Sequence, residues 1–220
     1  MKSRHTAVLP PNDPGAAFAE AVRRSGVRSE RADRLPRTPV FRLRDAGMPA
    51  STVYRLVAAG AVEKVGHGLY CRVDAPPADL DLLAVAVREP QATVCLLSAL
   101  AWHDLVTAIP HRWDLAVPRG RTPVTAPRTT RWHRFDPLTF DVGRDVVRVE
   151  SSDVQVGLYS AERSIVDAFR LRQNVSHEIA VEALREWLPR RGSSPAALMR
   201  IAAQLPRATG PLSTALSVLL

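Results

Sequence analysis

Residues 39–73 read PVFRLRDAGMPASTVYRLVAAGAVEKVGHGLYCRV, and this stretch constrains the chain more than any other. Its first part reads as a short helix ended by Gly47-Met48-Pro49, since Gly suits the left-handed position past a helix end and Pro stops continuation. A second helix follows, opened by Pro49-Ala50 or capped by Ser51. Val53, Leu56, Val57 and Gly60 recur along it at helical spacing and predict an inward stripe. The opposite face then carries Ser51, Tyr54, Arg55 and Ala58, with Thr52 at its edge. Gly60 ends this helix, and residues 61–65 and 69–73 flank Gly66-His67-Gly68 as two strands of a tight hairpin. Helix, Gly turn, helix and hairpin in that order make a winged helix-turn-helix. In such a unit the second helix enters the major groove. Ser51, Thr52, Tyr54 and Arg55 are therefore the expected base readers, and Arg37, Arg42, Arg44, Lys64 and His67 the expected backbone contacts.

Charge points the same way. The formal net charge is +8 over 220 residues, which favours a polyanionic partner such as double-stranded DNA. Apart from Lys2 and Lys64 every basic residue is Arg, a bias that serves bidentate phosphate and guanine contacts but also follows from a GC-rich genome. Eight Arg (23, 24, 28, 31, 34, 37, 42 and 44) lie between positions 23 and 44 against Glu30 and Asp33. By itself such a run is a solvated face; beside a helix-turn-helix it is expected to meet phosphates.

Residues 1–15 are polar and Pro-rich and are expected to fray, with a first helix at 16–24. The stiff Asp74-Ala75-Pro76-Pro77-Ala78 segment marks the expected boundary between a DNA-binding domain, 1–75, and an α+β domain, 76–220. In the latter, helices are expected at 80–87, 96–105, 161–172, 177–188, 195–205 and 212–220, and strands at 113–117, 130–135, 146–149 and 154–159. A second basic cluster contains Arg119, Arg121, Arg128, Arg131 and Arg134 with no acidic residue between 119 and 134. It is expected to contact DNA or a protein partner, or simply to keep a loop solvated. The C-terminal apolar stripes (Leu184, Trp187, Leu188; Leu198, Ile201, Ala202, Leu205) and the final PLSTALSVLL read as core, with a dimer or partner contact as the alternative.

Two cysteines, Cys71 and Cys95, sit in apolar runs and are expected to be buried free thiols, which implies a reducing cytoplasm. No signal-peptide pattern opens the chain, and no apolar run is long enough to span a bilayer. Catalytic motifs are missing. The six His show no metal spacing, and no phosphate-binding Gly loop or nucleophile elbow occurs. Asp141, Glu150 and Asp153 lie where a nuclease would keep carboxylates, yet no Lys follows Lys64 to complete an acidic-X-Lys set. Trp102-His103-Asp104 suggests a charge pair, and Asp167 reads as a structural hydrogen-bonder in its helix. No cofactor, no metal and no enzymatic activity are expected.

Four blocks together carry a resemblance. The AGM-x-x-STVYRL helix with its EKVG-x-GLY hairpin is followed by LLSALAWHDL at 96–105, WDLAVPRGR at 113–121 and SAERSIVDAFRLR at 160–172. In this order they resemble the AbiEi family of antitoxin-type transcriptional regulators over about residues 37–190, with Ser164 where that family usually has Thr. The resemblance implies an antitoxin of a bacterial toxin–antitoxin pair. Such a protein binds repeats in its own promoter through the winged helix, represses the operon, and counteracts a nucleotidyltransferase-like toxin through its C-terminal domain. The alternatives are a stand-alone regulator with a ligand-sensing or dimerising second domain and, more remotely, a nucleic-acid-acting enzyme. Two copies on an inverted repeat are expected, from a monomer or weak dimer in solution.

Overall fold

The computed structural model describes residues 13–220, and their contacts form two compact units. One runs to Leu80 and includes Glu150–Ser152; the other comprises Asp81–Val149 and Asp153–Leu220.

In the first unit, helix α1 (Pro14–Ser25) starts where Asp13 accepts a hydrogen bond from Gly15 N at 2.9 Å and ends at Gly26 with φ +67°. Residues 1–12 of the segment expected to fray lie outside the described residues, while Pro14 and Gly15 already belong to the capped helix. A single turn, α2 (Ser29–Ala32), comes next. The short helix expected around 40–46 is instead a two-residue strand, β1 (Phe41–Arg42), and one 3-10 turn at Leu43–Asp45. The reason is a pairing distant in sequence: Phe41 lies opposite Tyr70 of β3 (Leu69–Arg72), their rings 6.1 Å apart. Gly47 (φ +65°) then turns the chain into α3 (Ala50–Ala58), and β2 (Val62–Gly66) pairs antiparallel with β3 across the two-residue His67-Gly68 turn. The sheet order is β1-β3-β2. Helices α1 and α3, the 3-10 turn and this hairpin make a winged helix-turn-helix.

The first core gathers Phe18 and Val22 of α1, Val53 and Leu56 of α3, and Val62 and Tyr70 of the hairpin. Each fully buried apolar side chain of this size stabilises the fold by roughly 1.5–3 kcal/mol. Arg72, 5% exposed, lays its guanidinium 4.0 Å above the Phe18 ring and bonds both Asp74 carboxylate oxygens, at 2.8 and 2.7 Å. That arrangement fixes the wing strand to α1. Gly60, expected on the inward stripe of α3, is exposed and past the helix end with φ +76°.

The second unit takes in α4 (Leu80–Arg88) from Asp81 onward and is built on a five-stranded sheet ordered β6-β5-β4-β8-β7. Its strands are β4 (Thr93–Val94), β5 (Trp113–Pro118), β6 (Thr130–Phe135), β7 (Arg144–Arg148) and β8 (Gln155–Tyr159). Pairs β5/β6 and β4/β8 are parallel; β4/β5 and β7/β8 are antiparallel. The central strand, β4, was not expected, because two residues give no period to read. Helices α5 (Leu96–Trp102), α6 (Ala161–Arg170), α7 (His177–Trp187), α8 (Pro195–Ala203) and α9 (Thr209–Leu219) complete the unit. Side-chain caps from Ser160, Ser176 and Ser194 open α6, α7 and α8. Leu184, Trp187, Leu198, Ala202, Leu205 and Leu212 join Ile165 and Phe169 of α6 in one core, so the C-terminal stripes pack within their own unit.

Beneath α6 the core is polar as well as apolar. Arg163 and Asp167 are both fully buried; Arg163 Nε donates to Asp167 Oδ2 at 3.0 Å, and Arg170 Nε to Oδ1 at 2.6 Å. Arg163 Nη1 also donates to the carbonyls of Thr139 (2.8 Å) and Val142 (2.5 Å), and its guanidinium sits 4.3 Å over the Tyr159 ring. Two glycines clear space for such side chains. A Cβ on Gly143, at φ +66°, would lie 2.8 Å from Arg163 Cβ. One on Gly157 would lie 2.5 Å from Thr93 Oγ1 and 2.6 Å from Arg144 Nη2, just where Arg144 crosses β8 to bond Thr93 (Nε to Oγ1, 2.8 Å). Cys71 and Cys95 are free and buried, and burial pushes both thiols up, which leaves them protonated and unreactive.

Candidate nucleic-acid interface

Because Val53 and Leu56 are fully buried, the rotation of α3 is fixed, and Ser51, Tyr54, Arg55 and Ala58 face outward. Thr52 does not join them. At 3% exposure it is packed inside, so the expectation that it reads a base is corrected: its hydroxyl is closed off on the core side of the helix. Tyr54 is 53% exposed, unusual for an aromatic residue, and its phenol is hydrogen-bonded to that of buried Tyr70. Burial first, and Tyr54 second, push the Tyr70 hydroxyl above its ordinary range, so the Tyr70 phenol stays neutral at pH 7. Tyr70 thereby holds Tyr54 in place from the sheet, a supporting role that sequence reading missed because it joins residues on different elements.

The first amides of α3 follow Pro49 without a side-chain cap and remain available to an anion. At the other end Arg24 Nη2 donates to Ala59 O at 3.0 Å and so caps the helix from α1. Arg24 is therefore structural, and Arg23 is bound to Glu20 (Nε to Oε2, 3.1 Å). Two members of the basic run are thus engaged inside the unit.

The expected backbone contacts lie on three segments. Arg37 is exposed between α2 and β1. Arg42 is partly buried on β1, while Arg44 is exposed on the 3-10 turn with Asp45 3.7 Å away. Lys64 and His67 are exposed on the hairpin, where Lys64 pairs across the strands with Tyr70 and has acidic Glu63 as its neighbour. Leu43 N donates to Gly68 O at 3.2 Å, tying the hairpin turn to the segment that carries Arg44.

The cluster at 119–134 is less free than its sequence implies. Arg121 pairs with buried Glu89 at 2.8 Å, and Arg131 Nε bonds buried Asp114 at 2.6 Å, so these two Arg neutralise carboxylates from distant segments. Arg119, Arg128 and Arg134 are exposed. His133 Nε2 also meets Asp114, at 2.8 Å. Burial raises the Asp114 pKa, but hydrogen bonds from His133 and Arg131 together outweigh it and hold the carboxyl below its ordinary value. A depressed folded-state pKa contributes stability above the unfolded value, near 3.9, and loses it as pH falls through the folded one. Asp114→Asn is accordingly expected to flatten the loss of stability between pH 5 and pH 2, measured as the urea midpoint across about that range.

His103 Nε2 is bonded to the Tyr159 carbonyl at 2.8 Å rather than to Asp104, so the suspected charge pair is absent. Asp141, Glu150 and Asp153 are exposed, and Asp153 meets Arg148 at 3.5 Å. Among the described residues no three His, Cys, Asp or Glu side chains are placed to hold a metal ion, and no helix is long and apolar enough to cross a membrane.

Residues 30–73 match the model of a protein family described as a transcriptional regulator, AbiEi antitoxin. The matched segment runs from α2 through β3 and so contains α3 and the complete hairpin. That family is one of regulators, not of enzymes. No curated protein matches the chain.

Proposed function

We propose that the chain is a DNA-binding antitoxin that represses its own operon and counteracts a nucleotidyltransferase-like toxin. The observation that carries the reading is the outward face of α3 (Ser51, Tyr54 and Arg55 on a helix whose other side is locked into the core), beside a hairpin that exposes Lys64 and His67 and inside the matched segment. Residues 1–75 act as the DNA-binding domain and 76–220 as the partner domain. Ser51, Tyr54 and Arg55 read base edges in the major groove of inverted repeats in the promoter. Arg37, Arg42, Arg44, Lys64 and His67 hold phosphates and set the register, with Arg119 and Arg128 as a further phosphate or protein contact. The protein works in the cytoplasm without a cofactor. The toxin role is inherited from the resemblance; the DNA-binding role stands on the residues of α3 and the hairpin.

Salt dependence separates the two kinds of contact. Lys64→Ala is expected to weaken binding uniformly across sequences and to reduce the log–log salt slope by about 0.9. Fluorescence anisotropy on the upstream DNA between 50 and 200 mM salt, roughly the range over which such contacts respond, measures it. An unchanged slope removes Lys64 from the backbone set. For the antitoxin role, a nucleotidyltransferase-like gene is expected beside this one, and co-expression of the chain with its product is expected to restore growth.

A further inference from the structure

The α7–α9 face of the second unit contains a slot that the DNA-binding reading leaves unused. Its volume is about 360 Å³, within the range of small-ligand pockets. His177, Val181 and Arg185 line one wall at successive four-residue steps of α7, so the wall runs about 12 Å along the helix. Ala215, Val218 and Leu219 of α9 form the apolar opposite wall, and Arg172 sits at the margin ahead of α7.

Chemistry restricts the occupant. Three basic side chains, Arg172, His177 and Arg185, line the slot, and no carboxylate does. The acidic residues of α7, Glu178, Glu182 and Glu186, line a second depression that shares His177, Val181 and Arg185 with the slot, and Glu182 is engaged there by Thr107 through N (2.7 Å) and Oγ1 (2.8 Å). Arg172 and His177 also stand at the start of α7, where the helix dipole favours negative charge. Val218, 79% exposed, leaves apolar surface at the mouth that an alkyl or aryl body would cover. We infer that this slot binds a small amphipathic carboxylate, its apolar body between Val181, Ala215 and Leu219 and its carboxylate beside Arg172 and His177 at the start of α7. A neutral apolar molecule would leave those basic groups unused, and a free inorganic anion would leave the walls bare.

The test uses the full chain and isothermal titration with hexanoate, octanoate and decanoate. Affinity is expected to rise about fourfold per added methylene. Decanol is expected to bind at least about tenfold more weakly than decanoate, since it forgoes the charge-assisted contacts. Thr214→Trp, which places an indole from an exposed position into the slot, is expected to abolish binding while leaving the thermal midpoint in place. If that variant does not fold, the exposed pair Arg172→Ala with Arg185→Ala serves instead and is expected to erase the preference for decanoate over decanol. Absence of saturable decanoate binding, equal binding of decanol, or retention of the preference without both Arg overturns the inference. An acidic amphipathic peptide that competes with decanoate and binds more tightly also overturns it, and makes the slot a protein-docking groove.

Discussion

Asp167→Ala is expected to destabilise the second unit by about 3–5 kcal/mol, the cost typical of removing one partner from a buried ion pair. The carboxylate it removes accepts from Arg163 Nε and Arg170 Nε, and Arg163 is entirely shut off from solvent. Without Asp167 the Arg163 charge stays buried, because Thr139, Val142 and the Tyr159 ring hold the guanidinium where it is. The pair is not there because ion pairs stabilise cores in general; its desolvation largely offsets its attraction. What it does here is join α6 to the Thr139–Val142 segment and to the sheet through one side chain. Arg163→Lys keeps the charge but has no planar fork to serve Asp167 and two carbonyls at once, so a substantial loss is expected there too. In a double-mutant cycle Arg163→Met and Asp167→Leu should be non-additive by more than about 1 kcal/mol. All four tryptophans, Trp102, Trp113, Trp132 and Trp187, lie in this unit, so urea unfolding followed by tryptophan fluorescence reads its stability alone.

Arg55→Ala carries the largest expected effect on binding. Its side chain is exposed on the outward face of α3, beside Tyr54. A bidentate Arg–guanine contact contributes about 1–3 kcal/mol of discrimination, so the substitution is expected to weaken operator binding roughly 5- to 150-fold and to relax the preferred base at one position. Non-specific binding should change little by comparison, since Lys64 and the other exposed Arg remain. Ser51→Ala and Tyr54→Phe probe the same face. Thr52→Ala should affect stability rather than recognition, because Thr52 is inside.

Local pattern made α3 and the hairpin legible. Val53 and Leu56 repeat at helical spacing, Gly47 and Gly60 occupy positive-φ positions, and two residues join β2 to β3. The strands and helices of the second unit were legible within a few residues for the same reason. What escaped was set by pairing across long sequence separations. Strand β1 exists because Phe41 meets Tyr70, and β4 because its two residues are held between β5 and β8. Thr52 was misassigned because it lies at the edge of the polar arc, where only packing decides which side it takes. Arg121 and Arg131 looked free in a stretch without acids, yet Glu89 and Asp114 reach them from other elements. Asp167 shows the reverse. Its structural role was read correctly from its place in a helix, and the partner at i−4, Arg163, lies in the same block.

The central claim, that the outward face of α3 reads promoter sequence, is tested most directly by the ratio of two affinities. Anisotropy titrations of the full chain at physiological salt, about 0.15 M, would compare its own upstream DNA with a scrambled duplex of equal length. At least about a thousandfold preference for the upstream DNA is expected, as specific regulators show, and a much smaller preference for Arg55→Ala. Equal affinity for the two duplexes, or a preference untouched by Arg55→Ala, would contradict it.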